Sequence, residues 1–241
     1  MIKNAILLAG GSGTRLAPLT NCINKHLLNV NGKFVIDYPL ATLKQFGVEN
    51  VSIIMGGEHF SQVVDHCQDG RNHGMHFNYV FQGEARGIAQ AINICRRYVA
   101  DDDRFAVILG DNIYSDPITL YEGEKAATIV VCQHPELQRF GVATFSNDGL
   151  IDIEEKPQVL SETFSQYAIT GCYFFDQQYF EFFKSIKPSA RGEFEVCDII
   201  RQYWQQKELD AVLYGGKLWS DAGTHQSLAY VNDYFYHQQQ A

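Results

Sequence analysis

No apolar run in this chain approaches the roughly 18 residues that a membrane-spanning helix requires. The first fifteen residues also lack a basic stretch followed by a long apolar one, so neither a membrane span nor a secretory leader is expected. Positive charge is scarce: 19 Lys and Arg stand against 28 Asp and Glu, a formal net charge of -9. Nucleic-acid binders usually show a basic face, so that class of partner is not expected. An anionic small ligand stays open, because local field rather than net charge governs it. No C-x-x-C occurs among the six cysteines Cys22, Cys67, Cys95, Cys132, Cys172 and Cys197, several of which sit in apolar runs. They read as buried free thiols in a reducing cytoplasm. The histidines show no ligand spacing either. His73 and His76 flank Gly74 in a turn with no other ligand cluster near in sequence, so no metal centre is expected on them. Low-complexity linkers, internal repeats and charge blocks are also missing. The 241 residues therefore read as one domain, with lobes at 1–115 and 116–241.

What is present is a hydrophobic content of 46%, ample for a large core, arranged in short runs that end in glycine. Ala5–Ala9 stops in Gly10-Gly11-Ser12-Gly13, Val51–Met55 in Gly56-Gly57, and Phe105–Leu109 in Gly110-Asp111-Asn112. Each reads as a buried strand emptying into a loop. Helical spacing is predicted over Phe34–Phe46 (closed by Gly47), Glu58–Cys67 and Gly87–Tyr98, with His76–Phe81 alternating as a strand. The repeating strand, loop, helix order predicts a Rossmann-like three-layer α/β/α fold with a mixed, mainly parallel sheet. Ligands in such sheets sit at the carboxyl ends of strands, here the loops at 10–15, 56–58, 82–87 and 110–112. The second half predicts strands at Ala127–Cys132, Gly141–Phe145, Ile151–Glu155, Ala168–Phe175 and Ala211–Leu213. Asn147-Asp148-Gly149 suits a hairpin turn. Helices are predicted at Gln177–Lys184, Glu195–Lys207 and Gln226–His237.

The loop Gly10–Arg15 holds the strongest chemical signal. Glycines let a ligand approach the backbone, successive N–H groups make an anion-binding concavity, and Arg15 adds a planar fork for phosphate. Two common glycine motifs fail here. G-x-G-x-x-G from Gly11 would need glycine where Leu16 stands, and G-x-x-x-x-G-K-[ST] from Gly10 would need Gly-Lys where Arg15-Leu16 stand. Taken alone, Asp111 also suits a turn cap and Asp221 an N-cap before the last helix.

LAGGSGTRL-x-PLT, with Lys25 ten residues after Arg15, resembles the sugar-1-phosphate nucleotidyltransferases. Further segments fall in that family's order. They are Asn24-Lys25-His26-Leu27-Leu28, Ile108-Leu109-Gly110-Asp111-Asn112, Phe140-Gly141-Val142-Ala143, Glu154-Glu155-Lys156-Pro157, Tyr167–Tyr173, Arg191-Gly192-Glu193-Phe194-Glu195 and Trp219-Ser220-Asp221-Ala222-Gly223-Thr224. The likeness covers nearly the whole chain and is nearest to members that use dTTP and glucose 1-phosphate, in their short form. Long members continue into a helical extension that helps form an effector site; no feedback through such a site is expected here.

The resemblance implies Mg2+-assisted in-line attack of a hexose 1-phosphate on a nucleoside triphosphate. The implied catalytic residues are Arg15, Lys25, Asp111, Lys156 and Asp221, with Asp111 and Asp221 holding the metal. Leu8, Gly10, Gly11, Ser12, Gly13, Thr14, Gln82, Gly87 and Asp111 would bind the nucleotide. The Gln82 amide matches a pyrimidine edge, and Gly87 would leave room for the ring. Asn112, Gly141, Glu155, Lys156, Tyr167 and Ile169 would bind the sugar phosphate. Of three departures from the long members, the missing proline before Gly87 leaves dTTP or UTP open, Phe140 in place of a tyrosine leaves glucose or another sugar open, and Asn29 replaces a proline; a non-catalytic nucleotide-sugar-binding regulatory homologue is the alternative from another class. The family usually forms dimers or tetramers. The aromatic last helix (Tyr230, Tyr234, Phe235, Tyr236) suits either an interface or a core cap.

Overall fold

The structure, a computed structural model, describes residues 2–99, 104–120 and 125–238. In chain order the elements are β1 (Asn4–Ala9), the two-residue rungs β2 (Asn29–Val30) and β3 (Lys33–Phe34), α1 (Asp37–Gln45), β4 (Asn50–Met55), α2 (Phe60–Cys67) and β5 (His76–Phe81). Next come α3 (Ile88–Ile94), β6 (Arg104–Leu109), β7 (Asn112–Tyr114), β8 (Ala127–Cys132), β9 (Gly141–Ser146), β10 (Gly149–Glu155) and β11 (Ser165–Asp176). The chain closes with α4 (Gln178–Phe183), α5 (Val196–Gln205), β12 (Leu209–Leu213), β13 (Trp219–Asp221) and α6 (His225–Gln238). This is the expected α/β class, a mixed central sheet with helices on both sides.

The chain separates into two compact units, but not by a cut after residue 115. The first comprises 1–85, 108–118 and 216–241, the second 86–107 and 119–215. In the first unit β1, β4 and β5 run parallel in register, Ala5 opposite Val51 and Val51 opposite Phe77. The runs of β1 and β4 are apolar because both of their faces are covered, whereas β5, at the sheet edge, alternates with exposed residues. A second core cluster joins Leu16, Leu28, Val30, Val35, Ile113, Leu218, Ala222, Leu228 and Val231. It ties the segment after the glycine loop to β7 and α6. α1 starts three residues later than its periodicity suggests. Phe34 ends the β2–β3 hairpin, and its N–H donates to the Asp37 carboxylate at 2.9 Å. On α6, Tyr234 and Phe235 pack against the core, whereas Tyr230 and Tyr236 are exposed.

In the second unit β9 and β10 form the expected hairpin, with Gly149 opposite Ser146 at φ +121°. β11 pairs antiparallel with β9 and β8, and β12 joins β8 in parallel. An aromatic core of Phe105, Phe175, Tyr179, Phe180 and Tyr203 fills this unit. Its buried hydroxyls are satisfied: Tyr179 donates to the Ala89 carbonyl at 3.0 Å, and Tyr203 to Asp176 at 2.7 Å.

Candidate active site

In the first unit the glycine loop leaves β1 and folds over Lys25. A Cβ on Gly11 would stand 3.1 Å from Lys25 Cε and Nζ, and one on Gly13 (φ +69°) 2.9 Å from Lys25 Cβ. Gly10 is equally close to Gln82, whose Oε1 would lie 2.7 Å from its Cβ. The glycines are thus required by close approach of Lys25 and Gln82. The Thr20 hydroxyl pins the loop by donating to the Gly13 carbonyl at 2.9 Å. Among the described residues, the N–H groups of Gly11, Ser12 and Gly13 donate to no protein acceptor, and the exposed Arg15 pairs with no carboxylate. Such a row of oriented donors beside a cation suits an anion. A cavity of about 530 Å³ opens beside it, lined in part by Ser12, Thr14, Lys25, Gly57 and His59. Leu8 contributes its carbonyl, which accepts from Gly110 N–H at 2.8 Å.

Asp111 and Asp221, 110 positions apart, are brought to adjacent strand ends. β7 and β13 pair antiparallel with Asn112 opposite Asp221, and Ala222 N–H donates to the Asp111 carbonyl at 2.8 Å. Asp221 therefore ends a strand and does not cap α6. Its Oδ2 and the Arg15 guanidinium both border Gly223, at 2.7 and 3.2 Å from where a Cβ would sit. Lys25 Nζ donates to Asp111 Oδ2, and Asn112 Nδ2 to Oδ1 at 3.1 Å. Burial pushes the Asp111 carboxyl up, but the charge of Lys25, the neighbouring His26 and these hydrogen bonds outweigh it and hold the pKa at about 2. Asp111 is thus an anion across the physiological range. His26, fully buried beneath Gly110, is driven down to about 3 by burial and by Lys25, so its ring is neutral. Its Nδ1 lies 2.8 Å from Asn24 Oδ1.

The second unit gathers a different set. Glu155 faces Gly141 across β9 and β10. Its carboxylate accepts from Cys197 Sγ at 3.1 Å and from Arg191 at 3.3 Å, with Lys156 Nζ at 3.6 Å. A Cβ on Gly141 would collide with Cys197 Sγ at 2.6 Å and touch Glu155 and Ile169 at 3.4 and 3.5 Å. Lys156 takes a left-handed backbone, φ +49°, as its N–H donates to the Phe140 carbonyl at 2.9 Å. Tyr167 stands edge-on to Phe145 at 5.6 Å, while Ile169 is buried. Arg191 is itself held by both oxygens of the buried Glu195, at 2.9 Å each.

Two of the expected site residues have structural partners of their own. Asn112, expected at the sugar phosphate, is buried at 2% exposure. Its amide bridges Asp111 and the Trp219 indole, which donates at 2.7 Å, so it orients the carboxylate. Gly87, expected to leave room for a base, lies in the second unit against the backbone of Phe194. A Cβ there would meet Phe194 O at 2.6 Å and N at 2.8 Å, and φ is +99°. Its lack of a side chain answers to that contact. Reading the sequence missed His26, Arg191, Glu195 and Cys197 as members of these clusters. The one available signal was that His26 and the Arg191–Glu195 segment fall inside matched motifs.

The sequence matches the nucleotidyl transferase family model over residues 4–238, and the chain belongs to that family; it is a nucleotidyltransferase. Among its relatives is a glucose-1-phosphate thymidylyltransferase of Neisseria meningitidis, 39% identical over 231 residues (92% of this chain, 79% of that one). The enzyme of the same name from Xanthomonas campestris pv. campestris is 37% identical over 234 residues, 94% of this chain and 78% of that one. A Bacillus anthracis protein assigned as a glucose-1-phosphate thymidylyltransferase, crystallised with a sucrose, superposes with a TM-score of 0.88. It is 41% identical, covering 97% of this chain and 95% of that one. A UDP-glucose pyrophosphorylase, 23% identical with a TM-score of 0.82, shares the fold.

Proposed function

We propose that this chain joins dTTP to α-D-glucose 1-phosphate, giving dTDP-glucose and pyrophosphate. One observation carries the reading most: Asp111, Asp221, Lys25 and the glycine loop converge in one unit although the sequence scatters them. The substrates follow from the names of relatives 37–39% identical over most of the chain.

A phosphate oxygen of the sugar 1-phosphate attacks the α-phosphorus in line. The new O–P bond forms as the bond to the β-phosphate breaks, and its electron pair leaves with pyrophosphate. Two anions must meet, so the protein's task is charge neutralisation and alignment. The N–H groups of Gly11–Gly13 and the Arg15 guanidinium hold the β- and γ-phosphates and stabilise the departing pyrophosphate. Lys25 supplies positive charge between the loop and Asp111. Gln82 reads the pyrimidine edge with its amide. In the second unit Glu155 accepts from sugar hydroxyls, Lys156 pairs with the sugar phosphate, and Arg191 holds Glu155 in place.

Two carboxylates on adjacent strand ends, one ionised down to about pH 2, are a hard-oxygen donor pair of the kind Mg2+ takes, usually with several waters. Asp111 and Asp221 would hold that ion, which when bound offsets phosphate repulsion and orients the reacting oxygens. The six free cysteines are compatible with work in the cytoplasm. A homo-oligomer, dimer or tetramer, belongs to the same reading and is checked by light scattering.

The test is pyrophosphate release across four nucleoside triphosphates and several sugar 1-phosphates, with and without Mg2+. Preferred turnover of dTTP with glucose 1-phosphate, dependent on Mg2+, is expected. Preference for UTP or another hexose would reassign the substrates, and no turnover with any pair would overturn the reading.

A further inference from the structure

One donor set lies outside these clusters. His66, Cys67 and His73 each offer a ligand atom, and the three atoms lie within 4.8 Å of one another. The histidine pair singled out by sequence, His73 and His76, is not the one that converges, since His76 sits exposed on β5. The grouping arises because α2 ends at Cys67 and the chain turns back at once. Gln68 and Gly70 have φ of +50° and +88°, and the turn at 71–73 returns His73 to the end of the helix. That turn is firmly built. His73 N–H donates to the Gly70 carbonyl at 2.9 Å, Gly74 N–H to Arg71 at 2.9 Å, and Lys44 Nζ to the Gly74 carbonyl at 2.6 Å.

The surroundings resemble those of a metal centre. His66 Nε2 lies 2.7 Å from Asp37 Oδ1, leaving Nδ1 as the ring nitrogen for an ion. A carboxylate on the far nitrogen of a ligating histidine fixes its tautomer and raises its basicity. Asp37 is itself held by Phe34 N–H at 2.9 Å. Cys67 is buried at 1% exposure. Phe34 stands edge-on to His66 at 4.8 Å, and Phe77 lies against His73 at 5.4 Å, so aromatic rings flank both half-buried imidazoles. Two imidazoles and a thiolate suit a borderline-soft ion such as Zn2+ and suit Mg2+ poorly. Zn–ligand bonds of roughly 2.0–2.3 Å put tetrahedral donors about 3.3–3.7 Å apart. The set would therefore contract by about 1.5 Å at most, within reach of rotamer changes at a turn.

We propose that His66, Cys67 and His73, with Asp37 behind His66, form a Zn2+-class site that fastens the end of α2 to the turn before β5. Binding loses the thiol proton to solvent as the S–metal bond forms. The site is separate from the phosphate machinery and from Mg2+.

The test strips the full-length protein with chelator and titrates Co2+ as the probe, with Mg2+ in excess to occupy the carboxylate pair. One equivalent should produce visible d–d absorption and a near-ultraviolet thiolate-to-cobalt band. Cys67→Ser should abolish that band, and Cys22→Ser should leave it. His73→Gln should weaken Zn2+ competition at least about tenfold while keeping pyrophosphate release at the parent rate, which shows that the variant is folded. Zn2+ should raise the melting temperature of the parent and not of His73→Gln. No charge-transfer band at one equivalent, a band that survives Cys67→Ser, or parental affinity in His73→Gln would each overturn the proposal. None of these outcomes bears on the transferase reading.

Discussion

Replacing Gly141 by alanine is a small change with a large expected consequence. The new Cβ would lie 2.6 Å from Cys197 Sγ, so the sulfur must retreat by about 1 Å to reach an ordinary contact. It has little room, because Cys197 is buried at 1% exposure on α5 and donates to Glu155 Oε2 at 3.1 Å. Overpacking of this kind costs about 1–3 kcal/mol. The retreat also drags Glu155 off its position, so the Michaelis constant for the sugar phosphate should rise while that for dTTP holds. Cys197→Ala alone removes the sulfur and its weak hydrogen bond, costing on the order of 1–2 kcal/mol. In the double variant the alanine methyl fills the space the sulfur left. The combined loss should therefore fall short of additivity by about 1–3 kcal/mol. Urea unfolding and steady-state kinetics on the four proteins measure both effects. Additivity within about 0.5 kcal/mol, or a rise confined to dTTP, would refute the packing account.

Asp111→Asn should lower pyrophosphate release at least about a hundredfold with an unchanged far-ultraviolet circular dichroism spectrum; near-normal turnover would remove Asp111 from the site. His26 predicts an acid-sensitive stability. Its pKa falls from 6.5 unfolded to about 3 folded, so its contribution is complete above pH 6.5 and is lost as pH falls toward 3. On the order of 3 kcal/mol should disappear between pH 6.5 and 4, and His26→Gln should flatten that limb in urea unfolding. Gly87→Ala meets backbone atoms of Phe194 at 2.6 and 2.8 Å with φ at +99°. A loss of about 2–4 kcal/mol should show as a lower melting temperature, and parental stability would undo the contact explanation.

The main strands were legible because β1, β4 and β6 are short apolar runs closed by glycine, β5 alternates and β8 is a continuous apolar run, and all five fall within a residue of their expected bounds. The glycine loop after β1 was legible as a loop for the same reason. The β7–β13 pair was not. Three residues on each side carry no periodicity, and the partners are 105–109 positions apart, so only the fold reveals that Asp221 ends a strand beside Asn112. The Phe194 backbone contact at Gly87 was not legible, because the absence of a side chain looks the same whether a ligand or a neighbouring backbone demands it. Arg191 and Glu195 stood in a matched motif to which no role was given. Their value comes from Glu155, which β10 contributes from 36 positions upstream of Arg191.

The interleaving of the two units bears on the order in which a nascent chain can finish them. Asp111 leaves the ribosome long before Asp221, and the whole 119–215 segment must be made in between. The first unit therefore waits for its third piece, β13 and α6, while the second can close ahead of it. Until Trp219 arrives, the Asn112 carbonyl lacks the indole that donates to it at 2.7 Å, and Ala222 is not there to bind the Asp111 backbone. A chain cut short anywhere before residue 221 carries the entire glycine loop and Lys25 yet lacks half of its carboxylate pair. The late segment from residue 216 onward thus acts as a checkpoint, since the pair is acquired only once that segment has been made.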